Sequence, residues 1–324
     1  MALMTYLEAI SDGLRTEMRR DPRVFVIGED IAIYGGAFGI TKGFLDEFGP
    51  WRVIDGPLAE TANVGACVGA AVMGMRPVVE MQFADFVTDA MTQVVNMAAT
   101  YHWRTGHPLP MVIRMPYGGD VKGGPFHSQC KEAWFAHTPG LKVVAPARAE
   151  DAKGLLIAAI RDSNPVMYFE HKHLYRYQKE EVPEGDHLTP IGKARVARVG
   201  ETISVISYGW MLHKCLQAAE QTSAEGVDAD VIDLRSLLPL DKEAILASVR
   251  KTNKALIVHE ASRTGGIGGE IAAIIAEEAF DSLDGPVIRL ASEDTPVPHN
   301  PVLEAAFQPQ VDEIAAAIRR LAAY

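Results

Sequence analysis

Cysteine is scarce in this 324-residue chain: Cys67, Cys130 and Cys215 lie far apart and form no C-x-x-C pair. Such spacing gives neither a disulfide framework nor a thiolate metal site and fits a reducing compartment. Cys67 and Cys215 sit in apolar helical contexts and read as core filler. Positive charge is also in deficit, 31 lysines and arginines against 42 acids for a net charge of −11, which disfavours nucleic acid because phosphate binding needs a basic face. The longest apolar run, around residues 61–74, is too short for a bilayer and is studded with glycine rather than leucine. The opening MALMTYLEAISDGLRTEMRRDP mixes acids with bases around no long apolar stretch, so no secretory or transit peptide is expected and the expected location is cytoplasmic. Nucleotide fingerprints are missing as well. YGGAFG (34–39) and TGGIGGE (264–270) are glycine-rich, but in the second Ile271 takes the third glycine's place in G-x-G-x-x-G, and no G-x-x-x-x-G-K-[ST] occurs. Both loops read as tight turns or a helix start. No G-x-S-x-G elbow occurs, and HSQC (127–130) offers a serine without a triad.

What is present is the composition of a folded globular protein, 48% hydrophobic and 23% charged, in a chain longer than one typical core can use. β-rich runs at 23–30, 76–83, 110–116, 141–147 and 165–171 alternate with helical patterns near 60–74, 85–104 and 149–162. Alternation of this kind predicts a parallel sheet with helices on its faces. Charge, proline and glycine interrupt it over 176–202, after which strands are expected at 203–209, 228–237, 254–261 and 286–292, with a last helix near 301–322. The fold class is therefore α/β, with one α/β domain over 1–185, a linker over 186–202 and a second α/β domain over 203–324. No short internal period points to a solenoid. The charge is uneven: residues 201–324 hold 19 acids and 10 bases, a balance of −9. They form either a solvated acidic surface or a landing site for a basic partner.

Three stretches carry chemistry together. Glu60, in DGPLAETANVGACVGAAVMG (55–74), is followed by fourteen uncharged residues, mostly Gly, Ala and Val. If fully buried, its carboxyl would be raised by roughly 3 to 5 pKa units, more than a helix N-terminus returns. Such an acid needs a partner, and a heterocyclic ring nitrogen that shares a proton would serve; alternatively Glu60 caps its helix. Gly65 and Gly69 make a small-residue ridge suited to tight helix packing, which another subunit could cover. EMQFADF (80–86) is the second stretch. The third, GGDVKGGPFHSQ (118–129), has four glycines and one histidine, the composition of a mobile loop that delivers an imidazole. EHKH (170–173) puts His171 and His173 on one side of a strand but lacks a third ligand, so it reads as hydrogen-bonded histidines rather than a metal clamp.

These stretches, with GEDIA (28–32), PLAE (57–60), PGLKVVAPA (139–147), AKGLLIAAIRDSNPVMYFE (152–170) and DTPVPH (294–299), resemble end to end the beta subunit of the thiamin-diphosphate-dependent component of 2-oxo acid dehydrogenase complexes. The resemblance implies an N-terminal pyrimidine-binding domain and a transketolase-type C-terminal domain. Carried over position by position, it implies that Glu60 hydrogen-bonds the aminopyrimidine ring and promotes the imino form that deprotonates the thiazolium carbon. Leu58, Gln82 and Phe86 line the same ring, Phe86 standing where relatives often have Tyr. His127 binds or protonates intermediates and assists acyl transfer to lipoamide. The resemblance further implies a potassium site at Asp162 and Asn164 with carbonyls of Leu109, Met111, Val112 and Ala159, although Asp162 and Asn164 equally suit a polar turn before Pro165. The GDG motif with a following Asn that holds magnesium and diphosphate is absent; the lone EGD at 184–186 continues with His187. Half of the cofactor site, including its magnesium, is therefore expected from an alpha subunit, in a heterotetramer of two alpha and two beta chains. The expected activity is oxidative decarboxylation of a branched-chain 2-oxo acid, 3-methyl-2-oxobutanoate, with reductive acylation of the lipoyl domain of the acyltransferase core. Pyruvate or acetoin dehydrogenase, a non-catalytic assembly or regulatory subunit, and a stand-alone transketolase-like enzyme are the competing readings.

Overall fold

Short apolar runs rich in valine and isoleucine form the interior strands of this protein, and the computed structural model, which describes residues 1–177 and 179–324, contains fourteen strands among the described residues. The first seven are β1 Ala2–Thr5, β2 Val24–Gly28, β3 Val53–Asp55, β4 Arg76–Glu80, β5 Val112–Tyr117, β6 Lys142–Val144 and β7 Val166–His171. They are followed by β8 Lys179–Val182, β9 Arg195–Arg198, β10 Ile203–Ser207, β11 Ala229–Asp233, β12 Ser236–Leu238, β13 Ala255–Ser262 and β14 Ile288–Ser292. A seven-stranded sheet has the order β12-β6-β7-β5-β4-β2-β3, parallel except for β12. A five-stranded sheet runs β14-β13-β10-β11-β9, parallel except for β9, and β1 pairs with β8 in an antiparallel ribbon. These are two α/β units, as the alternation predicts. Central strands such as β5 and β7 are buried at every residue, which is why apolar and polar residues do not alternate along them.

Three expected elements divide. The run 228–237 becomes β11 and β12, because Arg235 takes a left-handed conformation (φ 55°) and turns the chain from one sheet onto the edge of the other. The helix expected over 85–104 is a 3-10 turn, Ala84–Ala90, then a π-helical segment, Thr92–Ala98, and a short α-helix, Ala99–Thr105. The helix expected over 301–322 is two, Pro301–Phe307 and Val311–Ala322, separated at Pro309, whose ring cannot continue the first. The first helix, Tyr6–Arg20, starts at a capping box in which the Glu8 N–H donates to Thr5 Oγ1 (3.1 Å) and the Thr5 N–H donates to Glu8 Oε2 (2.7 Å). Two apolar cores flank the sheets, and each draws residues from both halves of the chain: Ile10 and Val78 pack in one with Met211 and Ile318, Val79 and Met115 in the other with Ile245 and Ile271. No helix among the described residues is long and apolar enough to cross a membrane.

Candidate functional site

Three neighbouring strands carry ionisable side chains into the buried interior: Glu80 ends β4, Arg114 interrupts β5, and Glu170 lies near the end of β7. Arg114 is fully buried between Glu80 Oε2 (2.5 Å) and Glu170 Oε1 (2.7 Å). Burial pushes the Glu170 carboxyl up to about 7 although Arg114 opposes it, and it raises Glu80 in the same way. Beyond this layer, His171 Nε2 meets Glu260 Oε2 at 2.6 Å. Burial would raise Glu260, but His171 and the Gly119 N–H bring it down to about 2. The buried Lys172 ammonium donates to the Gly118 carbonyl (2.7 Å), and burial lowers it to about 8. Gly118 has φ +87° and sits where any Cβ would overlap the His171 ring.

On this floor stands an aromatic wall. The chain leaving β4 runs through Gln82 and Phe83 into the turn Ala84–Ala90, and the His127 ring packs edge-on against Phe83 (4.5 Å between centroids) and Phe86 (5.6 Å). Asp85, buried beneath, accepts the Gln129 N–H at Oδ1 (3.2 Å) and keeps its buried Oδ2 without a partner. Burial raises its carboxyl, with the Gln129 N–H working against that shift. The Thr61 hydroxyl donates to the Asp89 carbonyl and ties this turn to the start of the helix Glu60–Val72. The structure thus brings Phe86 and His127 into contact and sets Glu60 on the adjoining helix.

Glu60 is the first residue of that helix, after an Ala59 that offers no side-chain cap. It is half-buried rather than fully buried, and its carboxylate makes no hydrogen bond or ion pair among the described residues. The burial argument for a partner therefore belongs to an assembled site and not to this chain alone. Glu29 adds a second acid nearby: burial raises its carboxyl, the charges of Glu60 and Asp30 raise it further, and its buried Oε2 has no partner. Leu58 is 83% exposed. Thr61, Ala62, Ala66, Gly69, Val72 and Met73 make a solvent-facing helix surface with no charge on it.

An unpartnered carboxylate two residues from an exposed leucine, on a helix tied to the turn that carries an aromatic wall, suits a flat heterocycle with a protonatable ring nitrogen, so the chemistry of these residues fits the aminopyrimidine half of thiamin diphosphate. Sequence reasoning missed Glu29, Asp85 and the Glu80–Arg114–Glu170 triad, although charged residues closing RPVVE and VMYFE and interrupting VIRMPY were a visible signal.

The six residues considered for a cation lie around the loop before β7. Asp162 Oδ1 accepts the Asn164 N–H (2.9 Å) and Oδ2 pairs with the Lys142 ammonium. The Leu109 N–H donates to the Ser163 carbonyl (2.9 Å), leading into Val112 of β5, and the carbonyls of Met111 and Ala159 accept the Val166 and Asp162 N–H groups. No group of three or more His, Cys, Asp or Glu side chains suited to a metal occurs among the described residues. His173 instead packs on the Trp210 ring (4.2 Å).

The transketolase pyrimidine-binding domain model matches residues 2–178, and the transketolase C-terminal domain model matches residues 192–314. The 2-oxoisovalerate dehydrogenase subunit beta of Bacillus subtilis is 49% identical over 327 aligned residues, covering 100% of both chains. The pyruvate dehydrogenase E1 component subunit beta of the same organism is 44% identical, covering 94% of this chain and 98% of its own. A mitochondrial pyruvate dehydrogenase E1 subunit beta-2 from Oryza sativa subsp. japonica is also 44% identical, covering 98% of this chain and 86% of its own. Among solved structures, a split-gene transketolase described as an inactive beta4 tetramer shares the fold, with a TM-score of 0.81, 22% identity and 99% coverage of both chains.

Proposed function

Because the chain belongs to the family of beta subunits of 2-oxo acid dehydrogenases, enzymes that use thiamin diphosphate and work with an alpha subunit, we propose that it serves the oxidative decarboxylation of the branched 3-methyl-2-oxobutanoate. The observation that carries the catalytic half of this reading is the unpartnered Glu60 carboxylate on a helix that Thr61 ties to the turn carrying the Phe83–Phe86–His127 wall. The substrate half rests on the 49% identity with a 2-oxoisovalerate dehydrogenase subunit across its whole length.

When bound, thiamin diphosphate supplies the carbanion chemistry of decarboxylation. Glu60 holds a proton for the ring nitrogen, Leu58, Gln82 and Phe86 orient the ring, and Phe83 with Phe86 excludes water. His127 presents a proton on the substrate side and assists transfer of the acyl group to the lipoyl domain of the acyltransferase core. Magnesium and the diphosphate are gripped by the alpha subunit, since this chain lacks the GDG-with-Asn motif. A potassium ion at Leu109, Met111, Val112, Ala159, Asp162 and Asn164 takes the place of Lys142 on Asp162, and melting in potassium chloride against sodium chloride tests it: equal midpoints remove the ion.

Co-expression with the alpha subunit and comparison of kcat/KM for pyruvate and 3-methyl-2-oxobutanoate tests the substrate. The expected preference for the branched acid is about tenfold or more, since each methylene is worth roughly 1 to 3 kcal/mol in a fitted pocket. The 44% identity with pyruvate dehydrogenase subunits supports pyruvate as the second reading, and a pyruvate preference establishes it. In the same preparation Glu60→Gln is expected to lower turnover on the order of 10²- to 10⁴-fold. Near-normal turnover of that variant favours a non-catalytic assembly subunit.

A further inference from the structure

The loop that carries His127 is held from a distance. Gly118, Asp120, Lys122 and Gly124 all lie in the left-handed region, with φ values of 87°, 58°, 62° and 65°. Lysine and aspartate persist there only where their surroundings over-determine the backbone. Those surroundings come from the second half of the chain. The Asp120 carboxylate accepts the Trp210 Nε1–H at Oδ2 (2.5 Å) and the Gln308 Nε2–H at Oδ1 (2.5 Å), with the Lys214 ammonium 3.3 Å from Oδ2. To either side of it, Glu260 Oε1 accepts the Gly119 N–H (2.5 Å) and Glu304 Oε2 accepts the Lys122 N–H (3.2 Å). Trp210 opens the helix Gly209–Ser223, and Gln308 sits at the break between the last two helices. At its other end the loop is fixed to the first sheet's side, through Gln129 on Asp85 and the His127 ring against Phe83 and Phe86.

Three donors on one carboxylate make a charge-assisted clasp. We propose that Asp120 is a positioning residue: by clasping Trp210, Gln308 and Lys214 it fixes the loop, so that residues of the C-terminal half set where the His127 imidazole stands. The inference rests on the role of His127 proposed above. Trp210 and Gln308 lie 90 and 188 positions along the chain from Asp120, so local sequence cannot dictate this placement.

The test uses the enzyme assembled with its alpha subunit. Asp120→Ala is expected to lower kcat for reductive acylation of a lipoyl domain on the order of 10- to 100-fold, the loss typical of a misplaced catalytic group, with KM for thiamin diphosphate unchanged. Tryptic cleavage after Lys122, which sits beside the clasp, should quicken. Asp120→Asn, which tolerates the same backbone angles and keeps one acceptor, should recover part of kcat; Asp120→Gly, which removes the backbone penalty but not the need for a carboxylate, should not. In a His127→Ala background Asp120→Ala should cost nothing more, because its effect runs through the imidazole. A full extra loss in that background, or recovery by glycine, would overturn the clasp. So would wild-type kcat and trypsin resistance in Asp120→Ala beside an impaired His127→Ala. A fully active His127→Ala would instead overturn the role of the histidine itself.

Discussion

Glu132 illustrates how one buried acid can give the molecule a pH dependence. Its Oε1 accepts the Tyr208 hydroxyl (2.6 Å) and its Oε2 has no partner. Burial raises the carboxyl from 4.5 to about 7, with the Tyr208 hydrogen bond opposing that rise. A carboxyl raised on folding favours the fold while it holds its proton, so its contribution is complete below about 4.5 and is lost as pH rises through about 7. Glu132→Gln is indifferent to pH at this position. Relative to wild type it should therefore gain about 3 kcal/mol between pH 5 and pH 8, at about 1.4 kcal/mol per pKa unit, read from denaturation midpoints; a constant difference across that range counts against the assignment. At this scale, the sequence made legible those residues that sit in distinctive company. Glu60 precedes a charge-free stretch, and His127 follows four glycines. Asp85 and Glu29 were illegible because their significance comes from a missing partner and from a neighbouring charge, and neither is a property of local sequence.

The helix Glu60–Val72 has a low-charge outer face for a reason that the single chain does not supply. Thr61, Ala62, Ala66, Gly69, Val72 and Met73 all face solvent, and small residues allow another backbone to approach closely. On the proposed reading that face is covered by the alpha subunit. A Cβ at Gly69 would meet nothing within 4 Å, so Gly69→Glu should fold normally, and its new charge should weaken association with the alpha chain at least about tenfold, on the order of 1.4 kcal/mol. Sedimentation of the mixed chains measures this; undiminished tetramer would leave the face without its assigned role. Short, mostly apolar runs bounded by turn residues, such as the strands 76–80 and 166–171, were readable from pattern alone. The segment 84–105 was not, because its 3-10, π and α turns repeat at different intervals and present a blurred helical signal.

The whole molecule is acidic in its second half, and part of that charge does nothing for local stability. Glu277 and Asp281 are exposed at the carboxyl-terminal end of the helix Gly268–Glu278 and just beyond it, where the helix dipole disfavours negative charge. A basic domain of the acyltransferase core is the partner we assign to them. Neutralising both residues should weaken core binding and flatten its salt dependence, as titration calorimetry at two ionic strengths would register; identical affinities would leave the acids as a solvated surface. The two-part α/β layout was visible in the alternation of strands and helices, whereas the exchange between the parts was not: Arg235 carries β12 out of its own neighbourhood by a backbone angle that its side chain does not announce. That exchange makes the chain a single interlocked object. With β12 completing the first sheet and both apolar cores stitched from early and late residues, severing the polypeptide anywhere between 186 and 202 would strip one fragment of its border strand and leave each with half a seam, so neither piece can be transplanted as a ready-made module.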